Sequence, residues 1–237
     1  MKYRMTMNTK LAATPRQSKP KTRDRILARS LELFNEQGER QMSTNHIAAA
    51  LGMSPGNLYY HFKNKDAIIF ELFLEYTDHM RAALTLPEDR QLTQADKIVL
   101  FEKIMGTLWR YRFLHRDMTH LLDNAEMRDS YRAFARQAMV SVSHLYRLQV
   151  ESGLVEATEE EIMALTTTIW ITATNWVTFL STTGFFGYAE PLTEAMLRQG
   201  LYQVICLEAP YLRGEARSGL EALKARYGAA LRIEEDW

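Results

Sequence analysis

The stretch Ser43 to Lys65, STNHIAAALGMSPGNLYYHFKNK, constrains the fold more than any other part of this chain. It has room for two short helices and one tight corner. Ile47, Ala48 and Leu51 fall at i, i+1 and i+4, so they share one face of a first helix. Gly52 stands where a left-handed cap is required, and Met53 plugs the corner behind it. Ser54 is a good N-cap for a second helix, and Pro55 suits its first turn. Leu58 and Phe62, four apart, give that helix one apolar edge. Its other edge carries Gly56, Asn57, Tyr60 and His61, none of them acidic, and Lys63 and Lys65 follow. This is a helix-turn-helix. A second helix docked along one edge, bare on the other and ending in cations fits the major groove of DNA. On that geometry Asn57, Tyr60 and His61 read bases, together with Thr44 and Asn45 from the preceding helix. Tyr59 leans toward the core flank, which directs its hydroxyl to phosphate. Ser54, Gly56, Lys63 and Lys65 complete the DNA-facing set, with Lys65 placed as a phosphate anchor.

The same residues carry a family resemblance. IAAALGMSPGNLYYHFKNKDAI resembles the DNA-binding signature of the tetracycline-repressor-like (TetR) family of bacterial transcriptional regulators. The shared features are an Ile-Ala in the first motif helix, a Gly at the turn, Leu-Tyr-x-His-Phe in the recognition helix and then Lys-x-Lys. The resemblance covers about residues 22–70. It implies an effector pocket in the remainder of the chain. It also implies a four-helix dimer bundle built from the last two long helices, here about residues 158–182 and 191–208. Independently of the family, a helix-turn-helix this small calls for a dimer on a two-fold symmetric site. Ala173, Thr174, Thr178, Ser181, Gly200 and Leu201 are expected to let those bundle helices approach closely.

Charge agrees with this division. The formal net charge is zero, yet residues 1–65 hold 12 Lys and Arg against 4 Asp and Glu, and the rest holds 17 against 25. A basic end on an acidic body is expected where only one end meets phosphate. The single cysteine, Cys206, excludes an intramolecular disulfide framework and fits a reducing compartment. The opening MKYRMTMNTK has no apolar run, so no secretory signal is expected, and no uncharged apolar stretch reaches spanning length. The expected location is the bacterial cytoplasm, without a membrane partner.

The chain divides into a disordered basic arm over 1–21, a DNA-binding domain over 22–66 and a helical effector-binding and dimerisation domain over 67–237. Thr22 is expected to cap a first helix that ends at Gly38, and Asp66 to open a fourth with Ile69, Phe70, Phe73 and Leu74 inward. That fourth helix begins in one domain and ends in the other, so it is the natural lever between them. Further helices are expected from Thr93 or Gln94 to Leu114, around Leu121 and Leu122, and from Asp129 to Glu151. The Thr158–Glu161 capping box starts another, Pro191 the next, and Ala216 to Leu231 the last. The segment TTTIWITATNWVTFLSTT is rich in strand-forming residues, but no partner strand is evident. Ile162, Thr166, Ile169, Ala173, Val177 and Leu180 keep helical spacing, so it reads as helix. The fold class is therefore all-α.

Large aromatic and sulfur side chains mark the body. Met105, Trp109 and Phe113 stand at i, i+4 and i+8, and Met118, Tyr146, Trp170, Trp176 and Phe179 join them as the candidate ligand-binding set. Core packing is the competing account of each one singly. HRDMTHLLDN, residues 115–124, gathers His115, Asp117, His120 and Asp123, but its spacings of 2, 3 and 3 do not put both histidines on one helical face. No metal and no cofactor is expected. An enzyme lacks any phosphate loop, nucleophile elbow or dinucleotide fingerprint here, and a non-specific DNA-binding protein would not carry an acidic body. The sequence reads as a dimeric, ligand-responsive regulator, a repressor released from a palindromic operator by a small apolar or amphipathic effector.

Overall fold

The computed structural model describes residues 21–87, 90–183 and 192–228. Most of residues 1–21, together with Pro191 and the segment after 228, fall outside the described residues. The described chain is helical without a strand; Val155 and Leu212 form one isolated bridge. No helix among the described residues is long and apolar enough to cross a membrane.

The N-terminal unit comprises α1 (Thr22–Gln37), α2 (Thr44–Ala50) and α3 (Pro55–His61). Thr22 is the first helical residue and not the cap: Lys21 takes the cap position without a side-chain bond. Ile26, Phe34, Ile47 and Leu58 are fully buried where the three helices meet. α4 (Lys65–Ala83) follows, capped by Asn64 and not opened by Asp66. Its inward face is turned from the expected one. Ile68, Ile69, Leu72, Phe73, Tyr76 and Met80 are buried, whereas Leu74 is exposed. The sequence pattern is ambiguous because α4 is apolar on two sides, and α1, α5 and α7, which pack on it, decide which side is inside.

The body begins with α5 (Gln94–Arg110) and α6 (Arg112–Leu121), where one continuous helix is expected from the spacing. The helix breaks at Tyr111 (φ −112°, ψ 31°). The break is held from outside: the Asn35 side chain donates to Arg110 O (2.8 Å) and accepts from Phe113 N (3.1 Å). Tyr111 itself is buried, with its hydroxyl 3.0 Å from His79 Nδ1. Residues so far away in sequence leave no local signal of the break. α7 (Ala125–Glu151) starts a turn earlier than Asp129, under an Asn124 cap, and ends before Gly153, whose φ is 69°.

α8 (Glu159–Thr183) is one long helix, and the Thr158–Glu161 capping box forms as the sequence requires. Its threonines are accommodated by back-bonding, as in Thr167, Thr168, Thr172 and Thr174, each donating to the carbonyl four residues earlier. α9 (Glu194–Glu208) starts behind a Thr193 cap. The final helix is two short ones, α10 (Gly214–Ser218) and α11 (Leu220–Tyr227).

Two hydrophobic clusters organise the chain. One contains the cores of α1 to α4 and continues into Tyr111, Phe113, Leu114, Leu121 and Met127 of the body. The other lies among α5, α7, α8, α9 and α11. The first cluster thus crosses the boundary expected near residue 66.

Candidate nucleic-acid interface

The α2–α3 corner is built by backbone and caps. Ser43 caps α2 in a reciprocal box with His46. Gly52 takes φ +64°, a conformation that an L side chain adopts at a cost, and Met53 N then donates back to Ala48 O (3.0 Å). Ser54 Oγ accepts from Asn57 N (3.2 Å), and Pro55 lies in the first turn. The inner edge of α3 is Leu58 and Phe62, both buried. Arg23 lies over the Phe62 ring at 4.7 Å and makes a two-pronged pair with Glu71 of α4 at 2.9 Å. The Arg23 hydrogen bond holds the Glu71 carboxyl below its ordinary range. So α1, α3 and α4 are tied together behind the exposed edge.

That edge carries no acid. Asn45, Ser54, Gly56, Asn57 and Lys63 are exposed, and Tyr60 is 85% exposed. Tyr60 and His61 meet edge to face at 5.2 Å. A Cβ placed on Gly56 would meet nothing within 4 Å, so the first turn of α3 is open to a close approach. Tyr59 is half exposed, and its hydroxyl sits 2.9 Å from Thr44 Oγ1, joining α3 to α2. The two residues are neighbours within one surface.

Lys65 behaves differently from the expected phosphate anchor. Its ammonium turns inward to Glu39 Oε1 (2.7 Å) and Glu39 O (3.0 Å). Glu39 is 2% exposed, and a carboxylate removed from water must be paired with a cation. Lys63 is the cation left facing outward at the end of α3.

The eight aromatic and sulfur residues expected to bind a ligand are not brought together. The break at Tyr111 removes Phe113 from the helix of Met105 and Trp109. Phe113 packs on Phe34 with ring centres 5.3 Å apart, and Met118 joins the same cluster. Met105 and Tyr146 are buried in the second cluster, where Trp109 also packs. The Trp109 ring is covered by the Arg112 guanidinium at 4.1 Å. Trp176 stacks on Phe179 at 5.3 Å and donates to Met196 O (2.8 Å), tying α8 to α9. Gly200, expected at a dimer seam, lies within the protomer under this indole: a Cβ there would come 2.7 Å from Trp176 Cδ1. Leu201 is likewise buried within the protomer. The Ser181 side chain falls outside the described residues.

Trp170 alone of the eight borders an apolar cavity of about 90 Å³. Tyr76 and Met80 of α4, with Leu84 just past its end, form one wall, and Ile104 and Leu108 of α5 another. Phe134, Ala138, Met139 and Val142 of α7 and Thr166, Ile169, Trp170, Ala173 and Thr174 of α8 face them, with His115 of α6. No Asp, Glu, Lys or Arg lines it. The sequence marks His115 only as part of HRDMTHLLDN. In the fold it is buried at the cavity, while His120 is at the surface 3.4 Å from Asp123. The two histidines face different surroundings, and no cluster suited to a metal occurs among the described residues.

Two further observations connect cavity and motif. α4 buries Ile68, Ile69 and Leu72 in the N-terminal core and, two turns on, offers Tyr76 and Met80 to the cavity. α6 carries His115 and also grips α1: Arg116 donates to Phe34 O at 2.7 Å, beside the Phe34–Phe113 contact.

Known proteins agree with this arrangement. The TetR family model described as "Bacterial transcriptional repressor" matches residues 75–220, and the N-terminal model of bacterial regulatory proteins of the tetR family matches residues 26–72. The HTH-type transcriptional regulator UidR of Escherichia coli K12 is 36% identical over 66 residues, 28% of this chain and 34% of UidR. The match thus spans about a third of that relative's length. A TetR-family transcriptional regulator from Marinobacter aquaeolei VT8 is 42% identical in its crystal structure. It covers 88% of this chain and 99% of its own, with a TM-score of 0.79. A transcriptional regulator from Saccharomonospora viridis, solved in complex with choline, shares the fold at 18% identity and a TM-score of 0.61. It covers 81% of this chain and 98% of its own. With both family models matched and a 42% identical structure covering nearly the whole chain, this non-enzymatic DNA-binding protein belongs to the TetR family of bacterial transcriptional regulators.

Proposed function

We propose that the protein is a repressor that holds a palindromic operator as a homodimer and leaves it when a small apolar effector enters the body. The observation that carries this reading is the double use of α4. One helix supplies core residues to the DNA-binding unit and wall residues to the apolar cavity. A dimer grips half-sites about 34–36 Å apart, one helical turn of DNA. A ligand that moves α4 changes the spacing of the two motifs, provided it binds the off-spacing state more tightly. The exposed, uncharged face of α8, with Met163, Thr167, Ile171 and Asn175, is the surface offered to the second protomer.

In this reading Asn57, Tyr60 and His61, with Thr44 and Asn45 from α2, face base edges, and Ser54, Gly56 and Lys63 face the backbone or its immediate vicinity. Tyr59 acts through its bond to Thr44. The test is selection from a randomised duplex pool. The wild type enriches a palindrome. Asn57→Ala changes the preferred base at one position of each half-site, whereas Tyr59→Phe lowers affinity without changing preference. An unchanged consensus with Asn57→Ala removes Asn57 from the reading set.

A further inference from the structure

The cavity is not uniformly apolar. His115 Nε2 and Thr166 Oγ1 are both buried without a hydrogen-bond partner among the described residues, and both residues line it. His115 is 6% exposed and Thr166 1% exposed. A buried polar atom without a partner costs free energy, so two at one small cavity require an explanation. Thr166 stands out against its own helix. Its neighbours Thr167 and Thr168 donate to the carbonyls four residues back, while the Thr166 hydroxyl does not. His115 is neutral at ordinary pH, because burial lowers its pKa to about 4. Its Nε2 is therefore a donor in one tautomer and an acceptor in the other.

We infer that the effector is a compact, uncharged hydroxyl compound whose ring or chain fills the apolar cavity and whose hydroxyl bonds His115 Nε2 and Thr166 Oγ1. This rests on the reading of the body as an effector-binding domain. A hydroxyl both donates and accepts, so it satisfies either tautomer of His115 with one rotation of Thr166. A carboxylate or ammonium would enter a site without a counter-charge, at a large desolvation cost. Size gives the second half of the inference. A cavity of about 90 Å³ is smaller than the ~150 Å³ that takes up a benzene ring in a protein core. An aromatic effector seated wholly within it pushes a wall outward, and Tyr76 and Met80 make the α4 wall one that is packed into the core of the DNA-binding unit.

The experiment compares phenol, benzene, benzoate and benzyltrimethylammonium on the full-length protein, read by tryptophan fluorescence and, in parallel, by release of a selected operator. Phenol is expected to bind about tenfold more tightly than benzene, the worth of one to two net hydrogen bonds, and the two ions not measurably. Thr166→Val and His115→Leu should each bring phenol close to benzene. Without ligand, Thr166→Val should raise Tm, because it removes an unpaired hydroxyl while keeping the side-chain shape. Equal binding of phenol and benzene overturns the inference. So does preference for either ion, absence of binding by all four, or a phenol preference that survives both substitutions. A Thr166→Val protein less stable than wild type overturns it too, since the hydroxyl would then already be satisfied, as by a buried water. Operator release by benzoate or the ammonium alone would leave the regulator reading intact while refuting this chemistry. Phenol binding at His115 and Thr166 without release would refute induction and leave the site standing.

Discussion

Lys63 and Lys65 show how two like residues two positions apart acquire different tasks. Both follow α3 in the sequence, and nothing local separates them. The fold brings buried Glu39 beside Lys65, so one cation faces inward and the other outward. Lys63→Ala should weaken binding to all duplexes and lower the slope of log affinity against log salt by about one unit. Lys65→Ala should instead destabilise the N-terminal unit by about 3 kcal/mol, since it strands a buried carboxylate. Denaturant unfolding beside a salt titration separates the two. A normal stability and a reduced slope for Lys65→Ala would return it to the phosphate. His115 adds a pH dependence with a definite sign. Its folded pKa of about 4 lies below the ordinary 6.5, so the unfolded chain takes up the proton first. Stability is full above pH 6.5 and falls as pH drops toward 4, by roughly 2 kcal/mol between pH 7 and 5. His115→Leu should remove that part of the loss. An identical pH profile in both proteins would show that His115 is not buried as a neutral group.

At the scale of elements, caps and turns were the most legible parts. Ser54, Gly52, Gly38 and the Thr158–Glu161 box stand where their local chemistry places them. The inward side of α4, the break at Tyr111 and the place of Gly200 were not legible, because each is decided by a distant partner. Asn35 holds the break across 75 residues of sequence, and Trp176 fills the notch at Gly200. The cavity was hidden for the same reason. Its walls come from five helices, and the conspicuous aromatic stripe pointed to residues that pack elsewhere. The α8–α9 contact allows a direct check. Gly200→Ala forces a Cβ against the Trp176 ring and should cost about 1–3 kcal/mol, with a changed indole fluorescence as Trp176 leaves Met196 O. A stable variant with unchanged fluorescence would show that the two helices have room to separate.

Among the described residues two cores meet along α5 and α7, each of which contributes to both. α4 and α6 both reach from the DNA-binding unit to the cavity, and Asn35 and Arg116 lock α1 onto the body. The three-helix unit is thereby joined to the body through packed side chains and direct hydrogen bonds, and a movement of the cavity wall has a physical route to α3. Its use as a switch requires that two α3 helices be held at a fixed spacing, which only a dimer supplies. The direct measurement is a footprint of the wild-type protein on the duplex it selects, with the stoichiometry determined on the same complex. The predicted result is two symmetric protected half-sites, centred one or a whole number of ~34–36 Å helical turns apart, with one chain on each. A single protected half-site bound by one chain, or protection spread evenly over unrelated DNA, would contradict the account.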